Sequence, residues 1–223
     1  MWSIRERILG SYLRAGSLLL VQLSLSIGSK FVVNENQQRW DEKYRRGEHL
    51  TEQPDSAFLS VANLLPRSGR ALDLAGGAGR HAIWLAQRGL HVTLVDISGV
   101  ALELARQRAA LLGVQLETVR RDVEKDSLIH GEWNLIVVVH FLWMPLLREV
   151  TRFLAPDGLF VFVQPTRKNL ERHDKPSARF LLEDGALPSL VPGVNVQHYE
   201  ERWFEDGRHQ AVLVGKHLAH ASG

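Results

Sequence analysis

One continuous apolar run constrains the fold of this 223-residue chain more than any other feature. Residues Trp133–His140 read WNLIVVVH, and almost no polar residue interrupts the run before the final histidine. A strand with one solvent-facing side alternates apolar and polar residues, whereas a strand of a parallel sheet is buried on both faces and is apolar throughout. The segment therefore predicts a central parallel strand that helices cover on both sides.

Short apolar segments alternate with helix-period segments on either side of this run. Arg70–Ala75, His91–Asp96 and a segment ending at Asp122 have the composition of strands, and apolar residues at helical spacing separate them. Asp206-Gly207 lies between two further strand-like segments and is typical of a hairpin turn. The sequence predicts an α/β protein with a Rossmann-like, doubly wound, mostly parallel seven-stranded sheet and a C-terminal antiparallel hairpin.

The composition excludes several kinds of site. The chain has no cysteine, so disulfides, thiolate zinc sites and a cysteine nucleophile are excluded. Its net charge of +2 arises within residues 1–36, and the rest holds 23 basic and 23 acidic residues, which gives no support for a nucleic-acid groove. His217 and His220 lie close in sequence but have no evident third ligand, so we predict no metal.

Residues 1–36 form an extension that precedes the predicted domain of residues 37–223. Its apolar stretch Leu18–Ile27 is shorter than the about 20 residues that a membrane-spanning helix needs, so we predict no stable membrane insertion. The surrounding Arg and Ser residues resemble those of a targeting peptide, although no clear cleavage site follows. A targeting segment, an extra helix packed on the domain and a poorly ordered extension all remain open.

The segment DLAGGAGRH, residues 73–81, carries the main functional signal. Gly77, Gly79 and Ala82 nearly satisfy the pattern of a dinucleotide-binding loop, in which a pyrophosphate lies at a helix N-terminus. Asp73 opposes such a ligand, because its carboxylate would repel a phosphate. S-adenosylmethionine carries a sulfonium and an ammonium and no phosphate, so Asp73 favours it. A tight structural turn that merely needs glycine remains the alternative.

The stretch LDLAGGAGRHAIWLAQRGLHVTLVDIS resembles the first two motifs of class I S-adenosylmethionine-dependent methyltransferases. The family pattern is an acid, three alternating glycines and a second acid that ends the next strand. Asp73, Gly77, Gly79 and Asp96 match that pattern, and Ala75 stands where the first glycine is usual. The resemblance extends over roughly residues 37–218 and implies S-adenosyl-L-methionine as the cofactor.

The resemblance also implies roles around the cofactor. Asp96 would accept both ribose hydroxyls, Ile97 would pack on the adenine, and Asp122 with the Val123 amide would read the adenine amino edge. For Asp122, a helix cap or turn role remains open. The expected cofactor-binding residues are Trp40, Tyr44, Asp73, Ala75, Gly76, Gly77, Gly79, Arg80, Asp96, Ile97, Asp122 and Val123.

Two other stretches are similar to the tellurite-resistance and thiol or thiopurine methyltransferases: RWDEKYRRGEH, residues 39–49, and the C-terminal KPSARFLLEDGAL with YEERWFEDGRHQAVLVGKH. Trp40 and Tyr44 share one helix face and either close over the cofactor or pack in the core. Arg80 either meets the cofactor carboxylate or caps a neighbouring carbonyl. His140 is the predicted catalytic residue, which orients a nucleophile or takes a proton, and a merely hydrogen-bonded histidine is the alternative.

These observations predict an enzyme, a cytoplasmic S-adenosylmethionine-dependent methyltransferase. We expect a small-molecule acceptor such as a thiol or chalcogen oxyanion, no nucleic-acid partner, and a monomer or homodimer. The basic segment RKNLERHDKPSARF favours an anionic or soft nucleophile, unless it is only a solvated loop. The alternatives are an NAD(P)-dependent oxidoreductase and a module that binds the cofactor without turnover.

Overall fold

A seven-stranded sheet organises the part of the chain that the computed structural model describes, residues 34–127 and 129–218. The strand order is β3-β2-β1-β4-β5-β7-β6, in which β1 to β5 run parallel and β7 is antiparallel to both β5 and β6. The fold predicted from the sequence is confirmed. The strands are β1 Arg70–Leu74, β2 His91–Asp96, β3 Glu117–Arg120, β4 Trp133–Val139, β5 Leu154–Pro165, β6 Val194–Trp203 and β7 His209–His217.

Helices cover both faces of the sheet. Helices α2, α3 and α4 pack on one face, and α5 and α6 pack on the other. The helices are α1 Glu35–Arg45, α2 Ser56–Ser60, α3 Arg80–Gln87, α4 Gly99–Leu111, α5 Met144–Glu149 and α6 Leu187–Leu190. Single turns of 3₁₀-helix occur at Ala62–Leu64, Val150–Phe153, Arg167–Glu171 and Ala178–Phe180.

Strand β4 has the double burial that its composition predicts. Leu135 and Val137 lie in the core on the side of α2 to α4, while Ile136 and Val138 lie in the core on the side of α5. All four side chains are fully buried. Burying an aliphatic side chain of this size contributes about 1.5–3 kcal/mol, so a polar residue on either face would be costly.

Some elements differ in length from the sequence prediction. The helix-period segment that follows Asp55 forms α2 plus a 3₁₀ turn rather than one continuous helix, and α5 likewise ends in a 3₁₀ turn. Strand β5 begins at Leu154, five residues before the apolar run at Leu159, because pairing with β4 resumes across a register shift. These differences leave the topology unchanged.

The first described helix, α1, begins at Glu35, two residues before the predicted domain boundary. The three alternatives for the extension concern mainly residues 1–33, which lie outside the described residues, as does His220. Among the described helices, none has both the length and the apolar character needed to cross a membrane.

The strand register brings the predicted site residues to one edge of the sheet. Leu74 at the end of β1 pairs with Val95 of β2 and Val138 of β4. Asp73, Asp96 and His140 therefore lie within a few residues of the same edge. This is the carboxyl edge of the parallel strands, where ligands of such sheets bind.

Candidate active site

The turn between β1 and α3 has a backbone that favours glycine. Gly77 and Gly79 adopt left-handed φ angles of 58° and 77°. Ala75, at the position where glycine is usual in the family, adopts φ 53°, a conformation that costs a residue with a Cβ roughly 1–2 kcal/mol. A Cβ at Gly77 would lie 2.2 Å from the hydroxyl oxygen of Tyr44, so close contact as well as φ requires glycine there.

Asp73 is a buried carboxylate with one unused oxygen. Its side chain is fully buried, and Oδ2 accepts a hydrogen bond from the Ala82 amide at 3.1 Å. Oδ1 has no partner among the described residues. Burial raises the pKa of Asp73 to about 7; the Ala82 hydrogen bond and the Arg80 charge oppose this shift, and the charge of Asp96 adds to it. A buried acceptor of this kind fits a cationic group such as the ammonium of S-adenosylmethionine.

Asp96 ties the glycine turn to the end of β2. Its Oδ2 accepts from the Gly77 amide and its Oδ1 from the Ser98 amide, both at 2.8 Å. Burial raises the pKa of Asp96, and these two hydrogen bonds offset only part of the shift. Each carboxylate oxygen keeps a second lone pair, so Asp96 can still accept the ribose hydroxyls.

Helix α1 is held against α4 beside this turn. Asp41 accepts hydrogen bonds from the Ser98 hydroxyl at 2.6 Å and the Val100 amide at 3.2 Å, which adds a second cap to α4. The Trp40 and Tyr44 rings are 6.2 Å apart, and Tyr44 is buried against the glycine turn. The two aromatic residues therefore share a helix face next to the turn.

The residues expected at the adenine lie around the ends of β2 and β3. Ile97 is half-buried, and Val123 is buried in the core on the α5 side. Asp122 accepts from the Glu124 amide at 3.1 Å and lies 3.7 Å from the Lys125 ammonium. Asp122 thus has the turn role left open from the sequence.

A second polar cluster lies where β4 and β7 meet the start of α2. His140 adopts φ 60°, and its Nε2 lies 2.6 Å from Gln210 Oε1 and 3.3 Å from Asp55 Oδ2. The Gln210 amide nitrogen donates to Asp55 Oδ1 at 3.2 Å. Asp55 also caps α2 through the Ala57 amide and is 2% exposed. The three side chains come from widely separated parts of the chain.

Cationic groups surround the Asp55 carboxylate. The guanidinium groups of Arg80 and Arg208 each lie 3.9 Å from Oδ2. Burial alone would raise the pKa of Asp55, but the hydrogen bond from His140 and the charge of Arg80 hold it well below its usual range. Burial lowers the pKa of His81 well below its ordinary value, and its neutral ring accepts the Asp55 amide at 3.2 Å. Asp55 is therefore an ionised carboxylate.

Arg80 connects the two parts of the site. Its charge lowers the pKa of both Asp55 and Asp73, so it lies in the field of each carboxylate. Its Nη1 also reaches the Gln53 carbonyl at 3.5 Å, as the capping alternative expects. Asp73 at the glycine turn and Asp55 in the His140 cluster therefore both lie near Arg80.

Sequence reasoning missed three members of this site. Asp41 follows Trp40 and lies three residues before Tyr44, a spacing that places Asp41 and Tyr44 on one helix face. Asp55 has the sequence pattern of a helix cap and no other signal, and Gln210 is a polar residue at the start of an apolar strand. Nothing in the sequence joins Asp55 to Gln210, because their contact spans 155 positions.

The basic segment after β5 has several of its charges engaged. Arg167 pairs with Glu183 at 2.6 Å, and the Arg172 guanidinium stacks 3.9 Å above the Trp203 ring. Arg179 lies 4.5 Å above the ring of Phe180, which is exposed. Gln164, at the end of β5, donates to the Phe180 carbonyl at 2.6 Å and anchors the segment to the sheet.

Comparison with known proteins shows what the part of the chain that contains the glycine turn is similar to. Residues 71–158 match a family model described as a methyltransferase domain. The chain is 29% identical over 107 residues to YqeM of Bacillus subtilis, whose name assigns it to the methyltransferases; the match covers 44% of this chain and 43% of YqeM. It is 42% identical over 81 residues to ribosomal RNA small subunit methyltransferase C of Aeromonas hydrophila. That match covers 35% of this chain and 23% of the relative.

The solved structures extend the likeness to most of the fold. TehB of Haemophilus influenzae superposes with a TM-score of 0.62 at 16% identity and covers 80% of this chain and 67% of its own. The chain spans less than half the length of the curated relatives it matches. Residues 71–158 thus resemble a methyltransferase domain, the fold is shared with S-adenosylmethionine-dependent methyltransferases, and S-adenosyl-L-methionine is the cofactor that these matches indicate.

Proposed function

We propose that this protein transfers the methyl group of S-adenosyl-L-methionine to a small-molecule acceptor. The observation that carries the proposal is the unpartnered Oδ1 of Asp73, fully buried beside a glycine turn. Such an oxygen needs a hydrogen-bond donor, which the ammonium of the cofactor supplies, whereas a dinucleotide pyrophosphate would bring further negative charge beside the carboxylate. An NAD(P)-dependent oxidoreductase is disfavoured for the same reason.

The remaining cofactor contacts are proposed from the residues around the turn. Asp73 would hold the ammonium, Asp96 the ribose hydroxyls, and Ile97 with Asp122 and the Val123 amide the adenine. Ala75, Gly76, Gly77 and Gly79 would form the floor of the site, Arg80 would meet the cofactor carboxylate, and Trp40 and Tyr44 would cover it from α1.

The chemistry asks little more of the protein than orientation. The bound cofactor supplies an activated methyl group on a sulfonium, which is already a good leaving group. The chain must align an acceptor with that methyl carbon and exclude water, which supplies several kcal/mol of rate acceleration. His140, at the carboxyl end of the neighbouring strand β4, is the proposed residue that contacts the acceptor.

A small acceptor is supported by the parts of the chain outside the methyltransferase domain. Among residues 34–127 and 129–218, α1 and the segment of residues 166–186 adjoin the carboxyl edge, and each is too short to form a separate domain. Residues 167–180 hold five basic and two acidic residues, and this excess suits a small anionic or soft nucleophile, a thiol or a chalcogen oxyanion. The similarity to the tellurite-resistance and thiol methyltransferases points to the same class.

The two relatives named for rRNA methylation do not argue for an RNA acceptor here. Their matches cover 30% and 23% of their own lengths, so most of each protein has no counterpart in these alignments. Acceptor pockets vary between proteins that share the cofactor domain.

Two experiments test the proposal. Calorimetry should give micromolar binding of S-adenosylhomocysteine, about −8 kcal/mol, and none of NADH; Asp73→Asn should weaken it about 10-fold or more, while the exposed control Asp157→Asn should not. Labelled cofactor should then transfer label to small thiols or chalcogen oxyanions. Binding without any transfer would identify a non-catalytic module, and label confined to RNA or protein would refute the small acceptor.

A further inference from the structure

The hydrogen bonds around His140 define which ring nitrogen carries the proton. Gln210 Nε2 faces carboxylate oxygens of both Asp55, at 3.2 and 3.4 Å, and Asp206, at 3.3 Å. Ionised carboxylates only accept hydrogen bonds, so the donor end of the amide must point toward them. The amide oxygen Oε1 therefore faces His140, and Nε2 of the imidazole is the donor in the 2.6 Å contact.

This arrangement leaves Nδ1 of His140 as the basic nitrogen. A neutral imidazole with its proton on Nε2 has its lone pair on Nδ1. Nδ1 has no hydrogen-bond partner within the described residues 34–127 and 129–218, and the side chain is 26% exposed. Asp55, 3.3 Å from Nε2, would stabilise the ring when it becomes positively charged. These are the features of a general base held by a carboxylate.

We propose that His140 Nδ1 deprotonates the methyl acceptor, that Asp55 and Gln210 are positioning residues for it, and that the acceptor is a thiol. The proposal rests on the proposed methyltransferase function and deepens it. An oxyanion already carries its negative charge and needs no base. An ordinary thiol has a pKa of about 8.5, so it is acidic enough to pass its proton to an imidazole while methylation consumes the thiolate. An alkyl alcohol is far too weak an acid for the same base.

The step conserves atoms and electrons. The thiol proton moves to Nδ1 while a sulfur electron pair of the acceptor forms the new bond to the methyl carbon. The bond from that carbon to the cofactor sulfur breaks, and its electron pair remains on the cofactor sulfur. His140 then releases the proton to water, so that a methyl thioether, S-adenosylhomocysteine and a proton are formed.

The test compares acceptors that differ in acidity. In His140→Asn, the new asparagine tolerates the left-handed backbone of position 140. In Asp55→Asn, the new asparagine can still cap α2. With 2-mercaptoethanol, a weakly acidic thiol, we expect kcat to fall about 10²-fold or more in His140→Asn and at least about 10-fold in Asp55→Asn. With 4-nitrothiophenol, which is already ionised at neutral pH, both variants should retain kcat within about threefold.

A spectroscopic measurement separates proton transfer from turnover. In the dead-end complex with S-adenosylhomocysteine, a thiophenol that is protonated in solution should develop thiolate absorbance with the unmodified protein and not with His140→Asn. His91→Asn is the matched control, because His91 is an exposed histidine at the opposite, amino end of β2. It should behave as the unmodified protein in both assays.

The outcomes distinguish the two proposals. Failure to bind S-adenosylhomocysteine would refute the methyltransferase function itself. Thiol methylation that His140→Asn slows equally for both acceptors, or not at all, would refute the base while leaving the function standing. Transfer to selenite or tellurite without transfer to any thiol would likewise overturn the thiol assignment. Should His140→Asn fail to fold, Asp55→Asn with the two thiols gives the same decision.

Discussion

Gly77 and Gly113 provide a matched test of how the glycine turn is built. Both residues adopt left-handed φ angles, 58° and 68° respectively. An added Cβ at Gly113 meets no atom within 4 Å, whereas at Gly77 it would lie 2.2 Å from Tyr44 Oη and 3.2 Å from Cζ. Substitution by alanine therefore introduces the same backbone strain at both positions and a close contact at only one.

The expected magnitudes follow from these contacts. The left-handed conformation costs alanine about 1–2 kcal/mol, and the more restricted unfolded chain returns about 0.5–1 kcal/mol, so Gly113→Ala should lose about 1 kcal/mol of unfolding free energy. Gly77→Ala adds overpacking of about 1–3 kcal/mol. It also disturbs the 2.8 Å bond from the Gly77 amide to Asp96, so its total loss should be about 3–5 kcal/mol.

Denaturant unfolding of the single and double variants measures the effect. Tyr44→Phe removes the hydroxyl and should restore about 1–3 kcal/mol to Gly77→Ala, but nothing to Gly113→Ala. The affinity for S-adenosylhomocysteine should fall more than about 10-fold in Gly77→Ala and stay unchanged in Gly113→Ala. Equal losses in the two single variants, or no coupling between positions 44 and 77, would refute the reasoning.

Three further predictions concern the carboxylates. The pKa of Asp73 is raised to about 7, and a cationic ligand binds the ionised carboxylate. Calorimetric affinity for S-adenosylhomocysteine should therefore be full above about pH 7 and fall up to about 10-fold per pH unit below it. A flat pH profile, or a profile that Asp73→Asn leaves unchanged, would contradict this. Asp96→Asn should cost about 1.5–3 kcal/mol of that affinity in the same assay, and an unaltered dissociation constant would remove Asp96 from the site. Asp41→Ala should lose about 0.5–2 kcal/mol of unfolding free energy and expose α1 to limited proteolysis, unlike Glu42→Ala at the next, exposed position of the same helix. Equal protection of α1 in both variants would show that Asp41 does not anchor it.

The sheet was predictable because its signals are local. The unbroken apolar run of β4, the glycine turn and Asp206-Gly207 each specify their own structure over a few residues. Parallel strands ending at these turns then fix which polar residues share the carboxyl edge. Asp73, Asp96 and His140 were recognisable for that reason.

The partners of these residues were not predictable. Asp55 meets His140 and Gln210 only once the sheet order is established, since β7 lies between β5 and β6. The length of β5 likewise depends on a register shift against β4 that no periodicity indicates. Asp41 depends on the way α1 packs on α4. In each case tertiary contact, rather than local sequence, decides the role of the residue.

The place of β7 in the sheet has a consequence for synthesis on the ribosome. Strand β5, with its fully buried Phe160 and Phe162, is an open sheet edge until the last part of the domain emerges and β7 pairs with it. A nascent chain released before that point would present an apolar edge open to aggregation. It would also lack Gln210, which fixes the orientation of His140. Translation therefore completes the cluster of His140, Asp55 and Gln210 only when β7 emerges, and no truncated product that ends before β7 contains it.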